Sequence, residues 1–264
     1  MVKTQKELAF LRDLYIGNDW TKRFTELIDK NFDFTDVENL LYINAGTGEY
    51  PLALRERLGD RVSLFATCED EDVMRIARDK AAALRSDVDF SMIRFDDDAF
   101  DAVITDATLA LGEAYDDMVD DAVRVAKIGA DVGILSVTSG SFGEIFSLLW
   151  EVLFNEDLGE HGHAAEEMIT ALPTVSRLEE IAKRAGMANV RTYSANEVFE
   201  YEDGTAFISS PLVSEFLLPV WLRTLDDEEQ QRVTKKLVEL IDAEDGNLSF
   251  RFAVKATLVI GEKA

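Results

Sequence analysis

Residues 40–49 read Leu40-Leu41-Tyr42-Ile43-Asn44-Ala45-Gly46-Thr47-Gly48-Glu49 and join an apolar run to a turn that contains two glycines. The apolar run predicts a β-strand. Residues 51–58, which follow the turn, have helical spacing and end at Gly59, a residue suited to a left-handed helix cap. A strand, a tight turn and a helix make the first half of a βαβ unit. Gly46 and Gly48 would either shape a tight connection or let backbone N–H groups approach a ligand, and their spacing alone favours neither.

The composition indicates a globular chain without a membrane partner. The 264 residues are 47% hydrophobic, enough for one large domain or for one domain with a lid. No apolar run reaches the roughly 18 residues of a membrane span, and the N-terminus lacks the apolar core of a signal peptide. The single cysteine, Cys68, has no partner for a disulfide within the chain. We therefore expect a cytoplasmic protein.

The chain carries a formal net charge of -25, from 52 acidic and 27 basic residues. Such a field repels phosphate backbones, so DNA and RNA are not expected partners. Two explanations remain, an adaptation of the surface to high salt and an attraction of a cationic substrate. Because the acidic residues are spread along the whole chain, we favour the first.

The first half of the chain alternates strands with helices. Residues 1–38 have helical spacing, with Asn18 or Asp19 able to cap a second helical segment. Strands are predicted at 61–67, 88–95, 100–105 and 132–137, and helices at 70–84 and 113–127. This alternation is typical of a doubly wound parallel sheet with helices on both faces.

The second half has a different pattern. An apolar helix is predicted at 142–154, a loop at 155–167 and a helix at 176–185, which begins with the capping box Ser176 to Glu179. A sixth strand is predicted at 190–201 and two helices at 211–243, the first interrupted by Pro219. From Leu248 onward apolar and polar residues alternate, as in one long half-buried strand.

Read together, these elements resemble the class I S-adenosylmethionine-dependent methyltransferases, within their small-molecule branch, from about residue 38 to the C-terminus. The resemblance is carried by the order of the elements and by four stretches, 41–48, 97–103, 124–130 and 178–187. It implies an α/β, Rossmann-like sheet of six parallel strands with an antiparallel seventh between the fifth and the sixth. It also implies an N-terminal helical cap at 1–38, a cofactor-binding core at 39–201, a helical lid at 202–247 and a last strand at 248–264.

The resemblance further implies S-adenosylmethionine as the methyl donor, bound across the carboxyl ends of the first strands. By position, the turn would line the methionine moiety, the end of the second strand would meet the ribose, the segment after the third strand would meet the adenine, and the end of the fourth strand would lie beside the methyl group. The residues at these places are Asn44, Ala45, Gly46, Thr47 and Gly48, then Cys68, Glu69 and Asp70, then Ile93 and Arg94, then Thr105, Asp106 and Ala107.

Three positions depart from the pattern of these enzymes, and the loop after the third strand, where an aspartate near the adenine is usual, is shortened because Phe95 leads directly to Asp96. Tyr42 stands where an acidic residue is usual, Asn44 stands at the first glycine, and Cys68 stands at the ribose-binding acid, a role that Glu69 or Asp70 could take over. Weakened contacts at about 1 kcal/mol each would lower the affinity for the donor. The alternative to a methyltransferase is therefore a methyltransferase-like binding or assembly protein that has lost the donor.

Methyl transfer needs an acceptor held in line and, for some acceptors, a base. The candidate base is Asp106, with His161 and His163 as further candidates, and no metal site is expected. A small-molecule acceptor would contact Phe142, Trp150, Phe216 and Trp221, or these residues would pack the insertion onto the sheet or form a homodimer contact.

Overall fold

The computed structural model describes residues 3–110, 114–245 and 249–264, which form one seven-stranded sheet with surrounding helices. The strand order across the sheet is β3-β2-β1-β4-β5-β7-β6. Strands β1 to β5 pair in parallel, whereas β7 runs antiparallel to β5. The strands are β1 Asn39–Ile43, β2 Ser63–Thr67, β3 Asp89–Ser91, β4 Phe100–Ala107, β5 Ala126–Val137, β6 Met187–Tyr201 and β7 Phe250–Lys263. The predicted α/β sheet with its inserted antiparallel seventh strand is thereby confirmed.

The centre of the sheet is apolar on both faces, as expected for parallel strands covered by helices. Leu40 and Leu41 in β1 are buried, as are Val103 and Ile104 in β4. The register pairs Ile43 with Thr105, so β1 and β4 end side by side. The turns that follow these two strands therefore meet at one edge of the sheet, which is where the candidate site lies.

The N-terminal segment is one continuous helical stretch. It consists of α1 (Gln5–Leu11), a π-helix (Arg12–Thr21) and α2 (Lys22–Asn31). The expected cap at Asn18 or Asp19 is wrong, because the helix continues through both residues without a break. The cap lies at Thr4, whose hydroxyl accepts from the Glu7 N–H while the Glu7 carboxylate bonds back to the Thr4 N–H.

Side-chain caps mark where two of the later helices begin. The side chain of Asp70 accepts from the Val73 N–H at 2.9 Å and caps α4. Thr174 caps α8 through the Arg177 N–H, so the expected capping box at Ser176 is placed two residues too late. The remaining helices are α3 Glu49–Leu58, α4 Glu71–Leu84, α5 Ala114–Val125, α6 Gly143–Asn155, α7 Gly162–Thr170, α8 Val175–Arg184, α9 Gly204–Ser209, α10 Leu218–Trp221 and α11 Asp227–Asp245, with a second π-helix at Leu212–Leu217.

Other expected boundaries also differ. Strand β3 covers three residues instead of eight, and the expected loop at 155–167 contains the start of α7. The interruption expected at Pro219 is a change of helix type and not a break, because the π-helix Leu212–Leu217 leads directly into α10, which has Pro219 in its first turn. Helix α9 was not expected. Glu113 and Leu248, which were to begin a helix and the last strand, lie outside the described residues.

The chain divides into two compact units. The first comprises 1–137, 174–195 and 256–264 and holds most of the sheet, with a core built around β4, β5, α5 and α8. The second comprises 138–173 and 196–255, and it contains the predicted lid at 202–247. The boundaries proposed from the sequence stay a prediction. Within the described ranges, no helix combines the length and the apolar character needed to cross a membrane.

Candidate functional site

A cavity of about 170 Å³ lies in the first unit, at the carboxyl ends of β1 and β4. The turn after β1 forms one wall, the segment after β4 forms another, and the N-terminal π-helix covers it. The lining residues are Arg12, Ile16, Gly17, Thr21, Tyr42, Asn44, Ala45, Gly46, Thr47, Glu49, Tyr50, Glu69, Asp106, Thr108, Leu109 and Ala110.

The two glycines of the turn serve different purposes. Both have left-handed backbones, with φ of +53° at Gly46 and +82° at Gly48. A Cβ on Gly48 would lie 2.7 Å from the ring of Phe90, so this glycine is required for packing. A Cβ on Gly46 would point toward the Arg12 side chain at the cavity, 3.2 Å from its Nε. Of the two glycines, Gly46 therefore gives the cavity its open backbone wall.

Asp106 is the carboxylate between the cavity and the end of β4. It accepts hydrogen bonds from the backbone N–H and the hydroxyl of Thr108, at 3.0 and 2.7 Å. The Thr108 hydroxyl in turn accepts from Trp20 Nε1 at 3.0 Å. Burial raises the pKa of Asp106, and the bonds from Thr108 only partly oppose that rise. A hydrogen-bond donor or a cation bound beside Asp106 would therefore stabilise its charged form.

Tyr42 and Asn44, which depart from the pattern of the methyltransferases, line the cavity and do not fill it. Tyr42 is buried, and its hydroxyl lies 3.5 Å from Asp106 Oδ2. Burial, followed by the charge of Asp106, raises the pKa of Tyr42 far above its usual value, so the phenol stays neutral. Asn44 has φ of 61° and donates from Nδ2 to the backbone carbonyl of Asp106 at 3.2 Å. Asn44 thus links the turn after β1 to the end of β4.

The N-terminal π-helix supplies cavity residues that the sequence did not point to. Arg12 Nη2 donates to Glu69 Oε1 at 2.5 Å. Lys80 holds the same helix by bonding Asp13 and, at 2.8 Å, Glu49 at the start of α3. Burial lowers the pKa of Lys80, but its bonds to the two carboxylates outweigh that effect and raise it. No local pattern in residues 12–21 indicates these contacts, since their partners lie far along the chain.

The three residues predicted to bind the ribose at the end of β2, Cys68, Glu69 and Asp70, lie in different surroundings. Glu69 lines the cavity, whereas Cys68 lines a shallower groove beside it. Burial raises the pKa of Cys68 to about 12, so its thiol stays protonated. Asp70 lines neither hollow, because its carboxylate is committed to capping α4.

The shallow groove has a volume of about 610 Å³ and contains the predicted adenine-side residues Ile93 and Arg94. Ile93 and its neighbour Met92 are 63% and 49% exposed, an unusual exposure for apolar side chains. The other residues of the groove are Thr67, Cys68, Asp117, Asp120, Asp121 and Arg124.

Several predicted site residues lie elsewhere. Thr105 and Ala107 are fully buried beside Asp106 and line neither hollow. The Thr105 hydroxyl has no hydrogen-bond partner among the residues that the structure describes. In the second unit, Phe142 packs against Trp221 with ring centroids 5.5 Å apart, inside an aromatic cluster. Trp150 is 48% exposed, and Phe216 is half-buried.

The predicted histidines also lie in the second unit. His161 Nδ1 is 3.3 Å from the Thr224 hydroxyl oxygen. Within the part of the chain that the structure describes, no group of three or more His, Cys, Asp or Glu side chains is arranged to hold a metal ion.

The strand order, the antiparallel β7 and the glycine turn at the end of β1 define the fold of the class I S-adenosylmethionine-dependent methyltransferases. The chain is similar to the YcgJ protein from Bacillus subtilis, with a TM-score of 0.60 and 14% identity over 92% of this chain and 98% of that one. It also resembles phosphoethanolamine N-methyltransferase 2 from Haemonchus contortus in complex with S-adenosylmethionine, with a TM-score of 0.56 and 14% identity over 98% of this chain and 58% of that one.

One curated relative is similar to the chain in amino-acid sequence. The demethylmenaquinone methyltransferase of Shouchella clausii is 25% identical over 181 residues, which cover 62% of this chain and 77% of that enzyme. No protein-family model matches the chain. The resemblance inferred from the sequence is confirmed, and these proteins are small-molecule methyltransferases where their names state an activity.

Proposed function

We propose that this protein is an S-adenosylmethionine-dependent methyltransferase that acts on a small-molecule acceptor. The observation that carries the proposal is the cavity below the turn at Gly46, where β1 and β4 end together. Ligands of open α/β sheets bind at this edge. The likeness to named methyltransferases supports the same activity, whereas nothing in those comparisons favours the inactive alternative.

The cavity alone does not hold a long ligand, so we place the donor across both hollows. A pocket that buries a whole small molecule measures about 300–1,000 Å³. The enclosed cavity, at about 170 Å³, is too small for a complete nucleoside and its amino-acid tail. In this proposal the cavity takes the methionine end of the donor. The groove at Cys68, Ile93 and Arg94 takes the adenine. Glu69, which follows Cys68 in the chain and lines the cavity, binds the ribose hydroxyls.

The donor supplies an activated methyl group, so little covalent chemistry is asked of the protein. Asn44, Ala45, Gly46 and Thr47 would hold and orient the donor with backbone groups. Asp106 would contact either the donor or the proton of the acceptor, and a buried carboxylate with a raised pKa is suited to both tasks.

The acceptor is proposed as a small, partly apolar molecule. Because the curated relative is named for demethylmenaquinone, a quinone-type acceptor is the first to test. Phe142, Trp150, Phe216 and Trp221 stay predicted acceptor contacts. A cytoplasmic location and a homodimer also stay predictions, the first from the lone cysteine.

The proposal is tested by calorimetric titration of the purified protein with S-adenosylmethionine and S-adenosylhomocysteine. We expect both to bind with dissociation constants in or below the high micromolar range. Glu69→Gln should weaken both ligands about tenfold, because a charge-assisted bond to the ribose is lost. The matched control is Glu71→Gln, which neutralises an exposed carboxylate in the first turn of α4.

Two results would count against this assignment. Absence of heat and of a thermal shift with either ligand would support the inactive binding protein. Unchanged affinity in Glu69→Gln would remove Glu69 from the site while leaving the activity itself in place.

A further inference from the structure

Arg12 forms an ion pair with Glu69, the residue that the proposed function assigns to the ribose hydroxyls. Its Nη2 lies 2.5 Å from Glu69 Oε1, and the two side chains are only 22% and 28% exposed. Its Nε lies 3.2 Å from the position that a Cβ on Gly46 would take. In the ligand-free protein the guanidinium therefore covers the turn and neutralises Glu69. A ribose hydroxyl that takes Oε1 of Glu69 must displace Arg12 from it.

We propose that Arg12 is a specificity residue that selects nucleosides carrying an α-carboxylate. The inference rests on the proposed function, in which Glu69 meets the ribose. A ligand carboxylate placed beside Gly46 gives Arg12 a replacement partner of the same charge and of matching planar geometry. A nucleoside without that carboxylate must break the ion pair and leave the guanidinium without a partner. Such a ligand is bound more weakly.

Asp106 supplies the second charge that an amino-acid end requires. Its carboxylate accepts from Thr108 and lies near the Tyr42 hydroxyl, and all of these donors are neutral. Among the described residues, no cation forms an ion pair with it. Burial raises its pKa, and the charge of Arg12 across the cavity opposes that rise without direct contact. An α-ammonium group would provide the missing counter-charge in a site shielded from water. The cavity thus presents a cation at Arg12 and an unpaired anion at Asp106, a pattern complementary to a zwitterion.

Three nucleosides separate these contacts in titrations of the full chain. S-adenosylmethionine carries both charged groups, decarboxylated S-adenosylmethionine lacks only the carboxylate, and 5′-methylthioadenosine lacks the whole amino-acid end together with the sulfonium charge. For wild-type protein we expect the affinity to fall in that order, because the first step removes the carboxylate contact and the second removes the ammonium and sulfonium charges.

Substitutions at Arg12 and at Asp106 should change the affinities of different ligands. Arg12→Gln should weaken S-adenosylmethionine about tenfold or more, since a charge-assisted pair is lost. The same variant should leave decarboxylated S-adenosylmethionine no weaker, and it should tighten 5′-methylthioadenosine severalfold, because Glu69 is freed. Asp106→Asn should weaken both S-adenosylmethionine and S-adenosylhomocysteine and leave 5′-methylthioadenosine unchanged. S-adenosylhomocysteine carries the ammonium without a sulfonium, so its weakening assigns Asp106 to the ammonium. Arg12→Lys should restore part of the lost affinity.

Arg75→Gln is the matched control, since Arg75 forms an exposed ion pair with Asp72 on α4. Thermal unfolding of each variant shows whether it is folded. Equal weakening of all three ligands by Arg12→Gln would give Arg12 a purely structural role and overturn the inference. Loss of turnover in Asp106→Asn with unchanged affinity would assign Asp106 to the acceptor proton and overturn its part. If the wild type binds none of the three nucleosides, the proposed function fails as well.

Discussion

At the scale of single residues, the buried carboxylate of Asp106 is expected to cost stability. Among the described residues it has no ion-pair partner, and burial disfavours its charged form. Buried groups of this kind are retained mainly where a ligand uses them. Replacing the charge should therefore stabilise the ligand-free fold while harming the site.

We predict that Asp106→Asn raises the stability of the ligand-free protein at pH 8. Because burial raises the pKa of Asp106 above its ordinary value of 3.8, the folded protein holds this proton more tightly than the unfolded chain does. Ionisation thus costs stability in full above the raised pKa, and that cost declines as the pH falls from the raised pKa toward the ordinary value of 3.8. The expected gain is about 1 kcal/mol, or about 2–4 °C in Tm, at pH 8 and less at about pH 4. Thermal denaturation followed by circular dichroism at both values measures it.

Asp101, at the other end of β4, is the matched comparison and should respond with the opposite sign. Burial raises its pKa, but hydrogen bonds from Lys127 and Asn39 outweigh that effect and lower it. Asp101→Asn should therefore destabilise the protein at pH 8. A loss of stability in both variants at pH 8 would contradict the account given for Asp106.

At the scale of elements, the N-terminal π-helix is held over the cavity by charged pairs. Lys80 on α4 bonds Asp13 of the π-helix and Glu49 of α3, and it lies 3.4 Å from the Thr47 carbonyl oxygen. One ammonium group thus joins three segments around the glycine turn. π-Helical segments are rare, and those that occur often lie at functional sites. Here the π-helix places Arg12 beside Gly46.

We predict that Lys80→Gln destabilises the protein by about 1–3 kcal/mol, or roughly 2–10 °C in Tm, because Asp13 and Glu49 are left as neighbouring carboxylates. It should also weaken S-adenosylmethionine, since the π-helix loses its anchor. Chemical denaturation and calorimetry measure the two effects.

Lys30→Gln is the control for Lys80→Gln. Lys30 forms an exposed pair with Glu26 on α2, with both side chains 64% exposed. An exposed pair contributes about 0–1 kcal/mol, so this variant should behave nearly as wild type. Equal effects of the two substitutions would show that Lys80 does not anchor the helix.

At the scale of the whole molecule, the net charge of -25 should govern how the protein responds to salt. Self-repulsion of this charge destabilises the compact state, and at 1 M ionic strength charges are screened beyond about 3 Å. We predict that raising KCl from about 0.05 M to about 1 M increases the Tm by several degrees.

A neutral osmotic control, sucrose at equal osmolality, separates charge screening from general exclusion effects. A Tm that falls with KCl would mean that attractive ion pairs, such as those of Arg12 and Lys80, outweigh the repulsion.

The sequence by itself determined the alternation of strands and helices, the turn between β1 and α3, and the long final strand. These features are encoded locally, because hydrophobic period and glycine position act over a few residues. The same local information left the ends of elements open. Thr174 and Ser176 are both suitable caps for α8, and only the packed backbone selects Thr174.

The tertiary structure alone decided which charges meet at the cavity. Arg12 and Glu69 are 57 residues apart, and Lys80 and Asp13 are 67 apart. Tyr42 and Asp106 meet because β1 and β4 pair in the register that ends both strands together. The physical reason is that side-chain pairing between distant segments depends on sheet order and register, which no local pattern records.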